Sequence, residues 1–267
     1  MTDASRPEGA SKPAWPAMTI AEAHAFLTAP GIPFEMEEKV IRGVKTRVWK
    51  NAPPTLRDAF LIGRAHGGKT FLVYEDDRAT FESFSRATTA FAYELMVKKG
   101  DRVAIIMRNL PEWPVAFYGA ALAGAIVTPL NAWWTGPELE YGLTDSGARI
   151  AVVDAERLER LKEHLGSCPD LKRVYVSRES EEIADPMILT LESVLGPVND
   201  WGKLPDRPLP DVPLDPDDDA TIFYTSGTTG KPKGALGTHR NMLSNIMASG
   251  ISAARTYLRR GEMPPMP

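Results

Sequence analysis

Cysteine is almost absent from this 267-residue chain, where Cys168 stands alone. An internal disulfide is therefore excluded, and with it a disulfide-built secreted scaffold. Ser167 and Pro169 beside it carry nothing that would lower a thiol pKa, so Cys168 reads as an idle thiol at a helix end. Histidine is scarce too: His24, His66 and His164 are scattered, and no Cys/His spacing suits a metal. No apolar run approaches the roughly 20 residues of a spanning helix. The first residues lack the charged and apolar regions of a signal peptide. A cytoplasmic, reducing setting is expected. Positive charge is not in excess either, since 31 Lys and Arg against 35 Asp and Glu give a net charge of −4. With no basic block or basic–aromatic stripe, nucleic acid is not an expected partner. Any anion site must be built locally.

One segment has the composition for such a site. Tyr224-Thr225-Ser226-Gly227-Thr228-Thr229-Gly230-Lys231-Pro232-Lys233-Gly234 follows the apolar stretch Ala220-Thr221-Ile222-Phe223 and precedes a helix-like segment from Thr238. Glycines allow close approach of backbone N–H groups, hydroxyls donate hydrogen bonds, and ammonium groups neutralise charge. The suited ligand is a triphosphate tail or pyrophosphate. The common P-loop pattern G-x-x-x-x-G-K-[ST] does not fit, because Thr225 stands five before Gly230 and Pro232 follows Lys231. The bland alternative is a flexible Gly/Thr turn with two solvated lysines.

T-S-G-T-T-G-K-P-K-G over residues 225–234 resembles the phosphate-binding signature of the adenylate-forming superfamily. That family comprises acyl-CoA and aryl-CoA synthetases, peptide-synthetase adenylation domains and firefly-type luciferases. Thr238-His239-Arg240-Asn241 is similar to the T-H-R-N of acyl-CoA synthetases. Upstream, Thr80-Phe81-Glu82-Ser83-Phe84, Gly100-Asp101-Arg102-Val103-Ala104-Ile105 and the segment from Gly119 to Asn131 also resemble family segments. The likeness spans roughly residues 50 to 245.

The resemblance implies activation of a carboxylic acid, most like a fatty acid, by ATP. An acyl-adenylate and pyrophosphate form, and coenzyme A then takes the acyl group. It implies that Thr225, Ser226, Thr228 and Thr229 donate hydroxyls to the β- and γ-phosphates. Gly227 and Gly230 would allow backbone approach, and Lys233 with Lys231 would supply charge. Mg2+ would bridge the phosphates. The family's carboxylate for that ion, its adenine-binding segments and its α-phosphate lysine would lie beyond residue 267. The chain is thus expected to be an amino-terminal portion, inactive alone, and open to homodimerisation or swapping over surface left uncovered. His239 carries two readings of equal weight, an acyl-pocket residue or a first-turn helix residue without chemistry. The rival functions are a non-catalytic nucleotide- or acyl-binding module and, more distantly, an unrelated P-loop hydrolase.

Strand-like runs alternating with helical periodicity predict an α/β fold, a mainly parallel sheet with helices on both faces. The expected division is an N-terminal extension over 1–50, an α/β subdomain over 51–195, a Pro/Asp-rich linker over 196–219, and the phosphate-loop strand with its following helix over 220–267. The lead to about residue 17 is polar and proline-bearing and is expected to be mobile. Trp133-Trp134 is read as packing. Asp217-Asp218-Asp219 is read as a solvated acidic loop, since three adjacent carboxylates cannot converge from an extended chain.

Overall fold

In a computed structural model, residues 15–226 and 230–265 are described, and the expected mobile lead lies largely outside them. Contacts divide the chain into two units. One takes the chain up to Ala52 together with the stretch from Leu243 onward, and the other is Pro53–Met242.

In the first unit, helix α1 (Ile20–Leu27) begins where the Thr19 hydroxyl accepts the Glu22 N–H at 3.2 Å and the Glu22 carboxylate accepts the Thr19 N–H at 2.8 Å. Each group satisfies a donor that the helix start would otherwise orphan. Strands β1 (Met36–Ile41) and β2 (Val44–Trp49) pair as an antiparallel hairpin. Ala23, Leu27 and Phe34 form a core with Ile251, Ala254 and Leu258 from the chain's last helix.

The second unit runs α2 (Leu56–Arg64), β3 (Thr70–Tyr74), β4 (Asp77–Thr80), α3 (Phe81–Glu94), β5 (Arg102–Ile106), α4 (Glu112–Leu122), β6 (Ile126–Pro129), α5 (Gly136–Ser146), β7 (Ala148–Asp154), α6 (Ala155–Leu161), β8 (Arg173–Ser177), β9 (Ile188–Thr190), α7 (Leu191–Leu195), β10 (Asp219–Thr225) and β11 (Lys233–Thr238). The last helix, α8 (His239–Arg259), starts in this unit. Seven strands form one sheet in the order β11-β10-β6-β5-β7-β8-β9, and β3 with β4 makes a separate hairpin. All pairings in the large sheet are parallel except β10 with β11.

The central strand explains the layering. Val103 to Ile106 are fully buried, as a strand covered on both faces must be. Ala104 and Ile106 join Leu139, Leu143, Leu158 and Leu161 from α5 and α6 on one face. On the other face Tyr175 of β8 meets Phe91 of α3 edge-on at 5.2 Å. The predicted α/β class with a mostly parallel sheet therefore holds. The reading missed the short β4, β9 and α7, and it missed β11.

Two acidic and proline-rich features differ from expectation. The stretch from Leu204 to Pro213 is held as a strap: Arg86 donates to Leu204 O at 2.9 Å, Tyr93 to Pro208 O at 3.2 Å, and Lys99 to Pro213 O at 2.9 Å. Arg57 donates to Pro210 O at 3.0 Å and Val212 O at 2.8 Å. Prolines have no N–H to give a sheet but keep their carbonyls, and basic side chains use them here. The acidic triplet is likewise engaged. Asp217 accepts two hydrogen bonds from Arg240 at 2.7 and 3.0 Å, and Asp218 pairs with Lys99 at 2.6 Å.

Candidate functional site

The glycine- and threonine-rich segment connects two neighbouring strands of one sheet. β10 runs parallel to β6 and ends at Thr225, and β11 returns antiparallel from Lys233, with Thr225 opposite Lys233 in register. The segment therefore leaves the carboxyl end of a parallel strand, where open α/β sheets bind ligands. The sequence reading placed Lys233 and Gly234 in the loop, whereas both begin the return strand.

Thr225, Ser226, Gly230, Lys231 and Lys233 are exposed around this turn. Gly227, Thr228 and Thr229 lie outside the described residues. The Thr225 hydroxyl donates to Lys233 O at 3.4 Å. Gly230 has φ +92°, a left-handed conformation that favours glycine. The Lys231 ammonium stands 5.0 Å from the centre of the Tyr141 ring, a cation–π contact. Tyr141 also donates its hydroxyl to Pro232 O at 3.0 Å. The Lys233 ammonium has no ion-pair or hydrogen-bond partner among the described residues.

Helix α5 anchors the base of the turn. The Tyr224 hydroxyl donates to Asp145 Oδ2 at 2.7 Å, and its ring meets Trp134 edge-on at 5.8 Å. Burial, followed by the bond to the Asp145 carboxylate, pushes the Tyr224 phenol pKa well up, so it remains a donor. Tyr141 and Asp145 stand four apart on α5 and so share a face. That spacing was the available signal for these two supports, which the sequence reading did not assign.

Gly234 has a packing duty. A Cβ there would lie 2.8 Å from Ile222 Cγ2, across the β10–β11 pair. Only glycine lets the hairpin close without moving a branched side chain.

His239 is buried at 2% exposure, and its Nδ1 accepts the Leu56 N–H at 3.2 Å. It thus ties the start of α8 to the start of α2. Burial, the largest influence, holds its pKa below the ordinary histidine value, with Asp218 acting in the opposite direction. Trp134 packs on the core beneath α5, while Trp133 is exposed with the Arg108 guanidinium 4.6 Å from its ring. Cys168 is buried, and burial raises its pKa. His164 Nδ1 lies 2.6 Å from Glu140 Oε2. Among the described residues no group of three or more His, Cys, Asp or Glu side chains could hold a metal, and no helix is long and apolar enough to cross a membrane.

A family model described as AMP-binding enzyme matches residues 62–262. The chain belongs to this family. A long-chain-fatty-acid–CoA ligase of Escherichia coli O6:H1 is 34% identical over 189 residues, covering 62% of this chain and 33% of that protein. A 4-coumarate–CoA ligase of Oryza sativa subsp. japonica is 26% identical over 198 residues, covering 72% of this chain and 33% of that protein. Among solved structures, a long-chain-fatty-acid–CoA ligase from Archaeoglobus fulgidus superposes with a TM-score of 0.61 at 25% identity, covering 74% of this chain and 39% of the other. The chain spans about a third of the length of the curated relatives it matches. The AMP-binding family thus takes in both β10–β11 and the α/β layers that carry it.

Proposed function

We propose that this chain carries the triphosphate-holding part of an ATP-dependent acid–CoA ligase. The observation that carries the reading is the T-S-G-T-T-G-K-P-K-G segment, which leaves the carboxyl end of β10, with the Lys233 ammonium unpartnered among the described residues and the Thr225 and Ser226 side chains exposed. In the reaction a carboxylate oxygen attacks the α-phosphorus of ATP, and pyrophosphate leaves with the bond's electrons. The sulfur of coenzyme A then attacks the acyl carbon and AMP leaves.

The assigned roles are those the family resemblance implies, and the donor types suit them. Thr225, Ser226, Thr228 and Thr229 donate hydroxyls to the β- and γ-phosphates, Gly227 and Gly230 admit backbone N–H groups, and Lys233 neutralises charge. Lys231 joins them by leaving the Tyr141 ring. The donor set fits a polyanion, and among the described residues no carboxylate cluster would hold Mg2+, which in this reading would arrive with the phosphates and add positive charge there. His239 takes the second of its two roles, tying the first turn of α8 to the first turn of α2 through Leu56. A fatty acid is the preferred acid, after the name of the E. coli relative. A reducing, cytoplasmic setting goes with the reading. The edge of β11, unpaired among the described residues, is the proposed contact for homodimerisation, which light scattering would show as a doubled mass.

The test couples two measurements. Calorimetry should show ATP binding that weakens on Lys233→Ala, and absence of binding would sink the reading. Exchange of labelled pyrophosphate into ATP with a fatty-acid panel should be absent for residues 1–267 alone and present when the remaining two thirds of a relative-length protein is supplied. Exchange by residues 1–267 alone would overturn the proposal that they are inactive by themselves. Binding without exchange in both cases would leave a non-catalytic nucleotide module.

A further inference from the structure

On the helical side of the second unit, α2, α3, α4 and β3 border a pocket of about 150 Å3 that opens to solvent. Phe60, Phe71, Phe81, Phe84 and Tyr118 line it. The rings support one another: Phe71 stacks on Phe81 at 4.4 Å, Phe71 meets Phe84 at 4.9 Å, and Phe60 meets Tyr118 at 5.6 Å. Protein interiors leave few voids larger than a water molecule. A space of roughly 150 Å3 accepts one benzene-sized molecule.

The lining is not wholly apolar. Ser85, only 3% exposed, also faces the cavity. Neither its hydroxyl nor that of Tyr118 has a hydrogen-bond partner among the described residues. Both hydroxyls are therefore free to meet a bound molecule. Two of them on one aromatic wall describe a ligand with a ring and one hydrogen-bonding group. The ring would take the edge-to-face and offset contacts that aromatic pairs favour, and its hydroxyl would meet both Ser85 and Tyr118.

We propose that this cavity binds a monocyclic phenol. The volume admits one ring, and the pair of hydroxyls selects a substituent that both donates and accepts. The site lies on α2, α3, α4 and β3, shares no lining residue with β10 or β11, and takes its ligand without nucleotide.

Calorimetric titration of the whole chain with phenol, benzene and cyclohexanol, in the absence of ATP, tests it. Phenol should bind saturably at one site, about 5- to 10-fold more tightly than benzene, the difference expected from one hydrogen bond to a buried hydroxyl. Cyclohexanol should bind more weakly than phenol for want of an aromatic face. Ser85→Ala should bring phenol and benzene toward equal affinity. Gly63→Leu should weaken phenol at least about 10-fold: a Cβ at Gly63 stands 4.0 Å from the Phe81 ring, an ordinary contact that lets the new side chain enter the cavity. Equal affinity for phenol and benzene in the native chain would overturn the proposal and leave a packing void. Absence of saturable binding, or indifference to Ser85→Ala, would overturn it as well. None of these results depends on the ligase reading, because no nucleotide enters the measurement.

Discussion

His239 Nδ1 accepts the backbone N–H of Leu56 at 3.2 Å, across 183 positions of sequence. That acceptor exists only in the neutral imidazole with its proton on Nε2. Burial keeps the folded pKa below the unfolded value of about 6.5. Below that pH the unfolded chain binds a proton that the fold refuses. The stabilisation is therefore complete above about pH 6.5 and is lost as the pH falls through the folded value. Thermal unfolding followed from pH 8 to pH 5 should show a drop in midpoint that His239→Asn removes. At pH 7.5, His239→Ala should cost about 2 kcal/mol, since it orphans a buried N–H.

The two loop lysines should separate by assay. Lys233 is exposed and has no partner among the described residues, so Lys233→Ala should leave the melting midpoint unchanged. Its loss of a charge-assisted hydrogen bond to phosphate should weaken ATP binding by roughly 10- to 100-fold. Lys231 is already engaged with Tyr141. Lys231→Ala should weaken ATP less and also cost about 0.5 kcal/mol of stability. Calorimetry and thermal melts on both variants check this, and equal effects on ATP binding would refute the distinction.

Gly234 and Ile222 should be coupled. Gly234→Ala places a Cβ 2.8 Å from Ile222 Cγ2 and should destabilise by about 1–3 kcal/mol. Ile222→Ala removes the obstacle. In the double variant the combined cost should fall short of the sum by at least about 0.5 kcal/mol. Additive costs in urea denaturation would mean that the hairpin yields elsewhere.

Arg57 should govern the strap. Its guanidinium serves carbonyls of Pro210, Val212 and Leu122. Arg57→Ala should cost about 2–3 kcal/mol and expose residues 204–213 to proteolysis. Arg57→Lys should rescue little, because an ammonium cannot present the planar fork. Cleavage mapping by mass spectrometry distinguishes this from general unfolding.

The elements that were legible in the sequence owe their form to their own residues. The apolar runs of β5 and β7, and the Thr19 and Thr80 caps, need no distant partner to be recognised. β11 was illegible because Lys-Gly-Ala-Leu-Gly-Thr has two glycines and no strand preference of its own, and its pairing with β10 imposes the strand. The strap and the acidic triplet read as loose and solvated for a related reason. Their partners Arg57, Lys99 and Arg240 are identified only by the fold. Within the candidate site, the loop was visible as composition, and its supports Tyr141 and Asp145 were not.

The Thr225–Lys233 rung has a consequence in chain statistics. Most of the entropic cost of a loop lies in bringing its two ends together, and this cost grows only as the logarithm of loop length. Here the sheet has already fixed the ends side by side. A ligand held between these two strands does not have to meet that closure cost again. Lengthening that interval by one or two residues should therefore perturb binding through geometry far more than through entropy, whereas melting β11 would restore the closure cost in full.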